Sequence, residues 1–150
     1  MTRVLLVEDE VHKRDEIKQC VLEVFGFEPE IVDGVRGAVM KVVEQNYDLI
    51  ILDMALSTFG ESADDRNKGH DQAQGGIEVL RALNAAKKRA KIIIVTQYPD
   101  FDLGSMKVKL KQAPKIVSDK YRQDVVGAVL YQYKSKATLQ RITSILRAHG

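Results

Sequence analysis

Apolar residues along this chain come in short runs that stop abruptly at polar ones. Val4–Val7 runs into Glu8-Asp9-Glu10, Leu49–Leu52 into Asp53, and Ile92–Val95 into Thr96. Unbroken apolarity over so few residues predicts strands buried on both faces, as in a parallel sheet. Between these runs the period changes to that of a helix. Ile17, Val21, Val24 and Phe25 share a helical stripe behind a start at Asp9 or Glu10, and Gly26 stands where such a helix would end. Glu30–Val32 reads as a weaker strand. A helix is predicted over 35–46 with Ala38, Val39, Val42 and Val43 inward. Gly75-Gly76 leads another, with Ile77, Val79, Leu80 and Leu83 as its apolar set.

Two stretches lack this clarity. Residues 57–74 are polar and aperiodic, which predicts a long surface loop, a feature often tied to function. Its His70 reads as an exposed, inert histidine. Beyond Thr96 the strand formers of Val129–Tyr133 predict the last strand, followed by an amphipathic helix over about 136–148 carrying Ala137, Thr138, Ile142, Ile145 and Leu146. The alternative, a strand at Lys115–Ser118 and one long helix after it, would place Gly127 inside a helix at a cost of roughly 1 kcal/mol. The stretch 99–126 is then an extended connection containing the fourth helix.

Strands alternating with helices imply right-handed crossovers and an open, doubly wound parallel α/β sheet. With 150 residues, a single domain over 1–150 is expected. No apolar run is long enough for a membrane helix, and five apolar residues are too few for a signal-peptide core, so a cytoplasmic protein without membrane contact is expected. The lone Cys20 excludes an internal disulfide and reads as a buried structural thiol. The net charge of +2 hides an asymmetry: residues 1–102 hold 13 basic and 19 acidic residues, residues 103–150 hold 10 and 2. A basic end can attract nucleic acid or an acidic protein; a solvated lysine-rich surface is the simpler account.

A parallel sheet brings Glu8, Asp9, Asp53 and Thr96 to one edge, where such folds bind ligands. Clustered carboxylates repel, so one takes up a proton unless a cation is present. A hard divalent ion such as Mg²⁺ meets that need with oxygen ligands. An aspartate beside it can then accept a phosphoryl group. An acid after a strand can also serve merely as a helix N-cap, a reading that suits Asp9 better than Asp53.

Val4–Glu10 (VLLVEDE) and Asp48–Met54 (DLIILDM) resemble the first and third strands of response-regulator receiver domains. Gly76–Leu80 (GIEVL) is similar to the opening of that family's third helix, and Ile92–Thr96 (IIIVT) to its fourth strand. The resemblance covers the first 96 residues apart from the loop, and the last third loosely. It implies a flavodoxin-like, five-stranded sheet of order 2-1-3-4-5. It also implies Asp53 as phosphoacceptor and metal ligand, Asp9 as direct Mg²⁺ ligand, Glu8 acting through water, and the Ala55 backbone carbonyl as a further ligand. Thr96 matches the hydroxyl that bonds the phosphoryl oxygen. The donor would be a sensor histidine kinase or a phosphotransfer protein.

The chain departs from the family in lacking a Lys-Pro pair after the last strand. Gly127–Lys134 resembles the approach to that lysine, which proposes Lys134 as the phosphate-pairing charge and Tyr131 as an aromatic switch; Lys120 is the rival. Gln97 replaces a small residue and could restrict access to Asp53. The expectation is a stand-alone phosphoacceptor signalling domain, not a conventional enzyme, acting on a downstream protein of unknown identity. Nucleic acid is not expected as a partner, and a homodimer stays open. A phosphorylation-independent interaction module on the same fold is the alternative.

Overall fold

A computed structural model describes residues 2–56 and 75–150. The loop predicted over 57–74, with His70, lies outside the described residues. The chain alternates β1 (Val4–Val7), α1 (Val11–Phe25), β2 (Glu30–Val32), α2 (Val35–Glu44), β3 (Leu49–Leu52), α3 (Gly75–Ala85) and β4 (Lys91–Thr96). It continues with a hairpin of β5 (Asp100–Leu103) and β6 (Met106–Lys109), then α4 (Ala113–Tyr121), β7 (Asp124–Leu130) and α5 (Lys136–His149).

The main sheet has the order β2-β1-β3-β4-β7, and every pairing in it is parallel. This is the doubly wound α/β arrangement expected, since β7 is the fifth strand of that sheet. All four residues of β1 and of β3 are buried, as a strand covered on both faces requires. Successive side chains go to opposite faces. Leu5, Val7, Ile50, Leu52, Ile92 and Ile94 pack with α2, α3 and α4, while Val4, Leu6, Leu49, Ile51, Ile93 and Val95 pack with α1 and α5. Leu80 of α3 is fully buried in the first of these cores. Leu80→Ala should lose about 2–5 kcal/mol, seen as a lower urea midpoint at unchanged slope.

Several boundaries differ from the sequence reading. The last strand is Asp124–Leu130, not Val129–Tyr133, so Tyr131 and Tyr133 lie past its end. Gly127 sits within it beneath α5: a Cβ there would come 2.7 Å from Ile145 Cδ1. Lys115–Ser118 is part of α4. The hairpin was not foreseen. Its ladder is antiparallel, and it turns at Gly104, whose φ of +61° suits glycine. Helix α2 ends at Glu44, and Val43 is exposed, because the helix turns only a narrow stripe of Val35, Ala38 and Val42 fully inward. Ala137 is exposed for the same reason on α5. Gly26 ends α1 at φ +79° as expected, and Cys20 is buried with its thiol pushed above the ordinary value by burial.

Candidate functional site

The strand register fixes the geometry. Val7 pairs with Leu52 and Leu52 with Ile94, so Glu8 and Asp53 leave neighbouring strands side by side, with Thr96 at the end of the next. Glu8, Asp53 and Thr96 are buried, and Asp9 is half-buried. The turn after Asp53 is tied to its carboxylate, because Ala55 N donates to Asp53 Oδ1 at 2.9 Å. Helix α3 docks on the same turn: Gly75 N donates to Leu56 O at 3.0 Å and Gly76 N to Met54 O at 3.3 Å.

The sequence demanded a cation among these acids, and the chain supplies one that the sequence reading missed. Lys13, in the first turn of α1, is fully buried. Its Nζ lies 2.7 Å from Glu8 Oε1 and 2.8 Å from Asp53 Oδ2. It also donates to Gln97 Oε1 at 3.0 Å. Gln97 in turn donates through Nε2 to Glu10 Oε2 at 2.6 Å, so its side chain bridges the rim of the site. The signal for Lys13 was present in the stripe. Lys13, Ile17, Cys20 and Val21 share one buried face of α1, and a lysine on an apolar stripe requires a buried acid.

One ammonium between two buried carboxylates leaves a negative charge in excess. Burial lifts the Glu8 carboxyl to about 8; Lys13 pulls it down and Asp53 pushes it up. Burial works against the Lys13 charge, yet Asp53 and then Glu8 hold that ammonium above the ordinary lysine range. Glu8 is therefore the member that retains a proton most readily.

Lys134, expected to reach the phosphate, is not brought to these acids. It is exposed, its backbone has φ +58°, and its Nζ lies over the Tyr133 ring at 5.3 Å. Its backbone N–H donates to Glu16 Oε1 at 3.3 Å. Lys120 stands in the last turn of α4, which leads into the start of β7, at the opposite edge of the sheet from Asp53. Tyr131 is buried and already turned inward. Its N–H donates to Thr96 O at 2.7 Å, its hydroxyl donates to the Glu16 carboxylate, and its ring faces Lys13 Nζ at 5.8 Å. Burial first, then the Glu16 bond, pushes its phenol up. Thr96 Oγ1 accepts from Tyr98 N at 3.2 Å.

The oxygen donors of Glu8, Asp9, Asp53 and the Ala55 carbonyl match in kind what Mg²⁺ takes. Among the described residues, no three acidic, histidine or cysteine side chains stand close enough together to cage an ion as they are. The gap between Glu8 and Asp53 holds the Lys13 ammonium instead. Also among the described residues, no helix is long and apolar enough to cross a membrane.

No family model matches the chain. A curated relative, the Detocs response regulatory protein DtcB of Vibrio alginolyticus, is 30% identical over 149 residues, which are 97% of this chain and 99% of the relative. Solved structures share the fold. A response regulator from Colwellia psychrerythraea superposes with a TM-score of 0.64 at 23% identity, covering 99% of this chain and 98% of that one. TrrA of Thermotoga maritima, in complex with Mg²⁺-BeF, does so at 0.59 and 23%, covering 97% and 99%. The chemotaxis regulator CheY4 of Vibrio cholerae does so at 0.59 and 17%, covering 97% and 98%. The sheet order, the acidic strand ends and a relative matched along nearly its whole length agree: this chain belongs to the response-regulator receiver family of two-component signalling.

Proposed function

We propose that this receiver accepts a phosphoryl group on Asp53 from a phosphohistidine donor, with Mg²⁺, and passes the change to a partner protein. The observation that carries the reading is the setting of Asp53. It lies at the carboxyl end of a central strand, one oxygen held by Ala55 N–H, the other by an ammonium, with the Thr96 hydroxyl on the adjoining strand end. Asp9, Asp53 and the Ala55 carbonyl would hold Mg²⁺, with Glu8 acting through water. The ion, when bound, offsets the negative charge that gathers as phosphoryl arrives. An Asp53 oxygen forms the bond to phosphorus while the bond from phosphorus to the donor imidazole nitrogen breaks. That nitrogen keeps the electron pair and a phosphoaspartate is left. Water later attacks phosphorus, the bond to the Asp53 oxygen breaks, and phosphate is released. Thr96 and a lysine follow the new phosphoryl oxygens, and the surface of α4, β7 and α5 changes its population of packings. The basic residues of that face suit an acidic partner.

One observation favours the alternative, an interaction module that works without phosphorylation. Lys13 already gives the acids a cation, so the folded site stands without a metal. Incubation with Mg²⁺ and acetyl phosphate separates the two. Wild type should gain a phosphoryl mass and Asp53→Ala should not. An unchanged wild-type mass, with no binding of beryllofluoride, leaves the interaction module; a modified Asp53→Ala moves the acceptor elsewhere.

A further inference from the structure

Lys13 is a buried ammonium on a helix, while the lysine that sequence similarity nominated lies at the surface. We propose that Lys13, not Lys134, is the cation that pairs with the phosphoryl group on Asp53. This rests on the phosphoacceptor reading above and names the residue that completes the site.

Three observations carry it. First, Lys13 touches the reacting carboxylate directly, at 2.8 Å from Asp53 Oδ2. Its three N–H donors are spent on Asp53, Glu8 and Gln97, so the ammonium is held at the acceptor before any phosphoryl arrives. Second, burying an ammonium is costly, and methionine or leucine would fill the stripe beside Ile17 and Val21 without that cost. Third, Lys134 is held away. Its ammonium lies over the Tyr133 ring and its backbone N–H is engaged by Glu16.

The transfer step gives Lys13 a defined task. As an Asp53 oxygen bonds to phosphorus and the bond from phosphorus to the donor oxygen or nitrogen breaks, the leaving group takes the electron pair. The aspartate's charge is replaced by charge on the phosphoryl oxygens just beyond it. An ammonium on a flexible four-carbon stem, released from the esterified carboxylate, turns to those oxygens while keeping Glu8. Gln97, which accepts from Lys13 and donates to Glu10, is the bond that yields as it turns.

The test compares full-length wild type, Lys13→Met and Lys134→Ala, each with Mg²⁺. Two quantities are read: the rate of phosphoryl gain from acetyl phosphate and the affinity for beryllofluoride. Losing a charge-assisted hydrogen bond to the phosphoryl should lower both by about tenfold or more in Lys13→Met. Lys134→Ala should stay within about twofold of wild type, as for a surface charge. Should Lys13→Met fail to fold, Glu8→Gln/Lys13→Met removes the excess charge and is compared with Glu8→Gln alone, with the same tenfold gap expected. A third measurement needs no variant of the site: in wild type, the protected side-chain ammonium signal of Lys13 should shift in NMR spectra when beryllofluoride is added. Phosphorylation at wild-type rate in the Lys13 variants, a tenfold loss in Lys134→Ala, or an unmoved Lys13 signal would each overturn the assignment. A wild type that takes neither phosphoryl nor beryllofluoride defeats the phosphoacceptor reading itself, a distinct result.

Discussion

Lys13→Met is expected to destabilise the metal-free protein by about 3–5 kcal/mol, the cost of leaving buried carboxylates without their cation. Methionine nearly matches lysine in length, so little of the loss comes from a cavity. What remains is Glu8 beside Asp53, both buried, with Glu10 N–H donating to the first and Ala55 N–H to the second among the described residues. The loss should depend on pH with a definite sign. Burial pushes the folded Glu8 carboxyl up to about 8 from an ordinary 4.5, so the folded chain binds the extra proton between those values. In wild type, stability from this group is fully present below about 4.5 and falls as pH rises through about 8. In Lys13→Met the fall should continue to higher pH, because Lys13 no longer draws the carboxyl down, so the deficit against wild type widens toward alkali. Urea melts at a mildly acidic and a mildly alkaline pH check this. A deficit that stays flat across that range, or that shrinks toward alkali, would show that the ammonium does not compensate Glu8. Glu8→Gln should flatten the pH dependence.

Gly76→Ala should cost about 3 kcal/mol, at the upper end for overpacking, and should also impair phosphorylation of Asp53. A Cβ at Gly76 would stand 2.6 Å from Met54 Cα and 2.7 Å from Asp53 O, and both obstacles are backbone. Neither can give way like the tip of a flexible side chain, so either α3 lifts off or the turn from Asp53 to Ala55 moves. The second outcome breaks the 2.9 Å bond from Ala55 N to Asp53 Oδ1 that aims the carboxylate. Denaturation measures the first effect, and the rate of phosphoryl gain from acetyl phosphate measures the second. A variant matching wild type in both would mean that α3 and the turn have slack that the contact distances deny. Gly75 is tighter still, its Cβ meeting Val35 Cγ2 at 2.2 Å and Leu56 O at 2.3 Å.

The sequence was most legible where burial on both faces leaves no choice of residue. Strands β1, β3 and β4 are legible as apolar runs, and the polar residues at their ends, acids after the first two and Thr96 at the third, locate the site edge without any knowledge of register. The physical demand for a cation was legible too, but its source was not. In the sequence Lys13 is one of many charges on a helix; what distinguishes it is its place on the buried stripe of Ile17, Cys20 and Val21. The strand preference of Tyr131 and Tyr133 draws the expected last strand too far along the chain; Tyr131 is buried just past the strand end, in the core it shares with Val129, Ile142 and Leu146. The hairpin is hard to read because each strand has only 4 residues and Asp100, Asp102, Lys107 and Lys109 are poor strand formers, although they alternate with the inward Phe101, Leu103 and Val108. Lys134 is nominated by the resemblance of Gly127–Lys134 to the family's approach to its lysine, and a position along a sequence does not fix where an ammonium points.

That hairpin alters how displacement at Thr96 would travel. The chain leaves Thr96 through Gln97 and Pro99, and Pro99 O accepts from Leu110 N at 2.9 Å, closing the base of the ladder. Phe101, Leu103 and Val108 root it in the core beside α4. A slack connection would absorb a shift locally; a cross-braced ribbon clamped at its base turns as one lever. Movement at the strand end, if phosphorylation produces it, would thus be delivered to the tip at Gly104-Ser105 and to the start of α4 together, with the exposed Lys107 and Lys109 carried along its outer face.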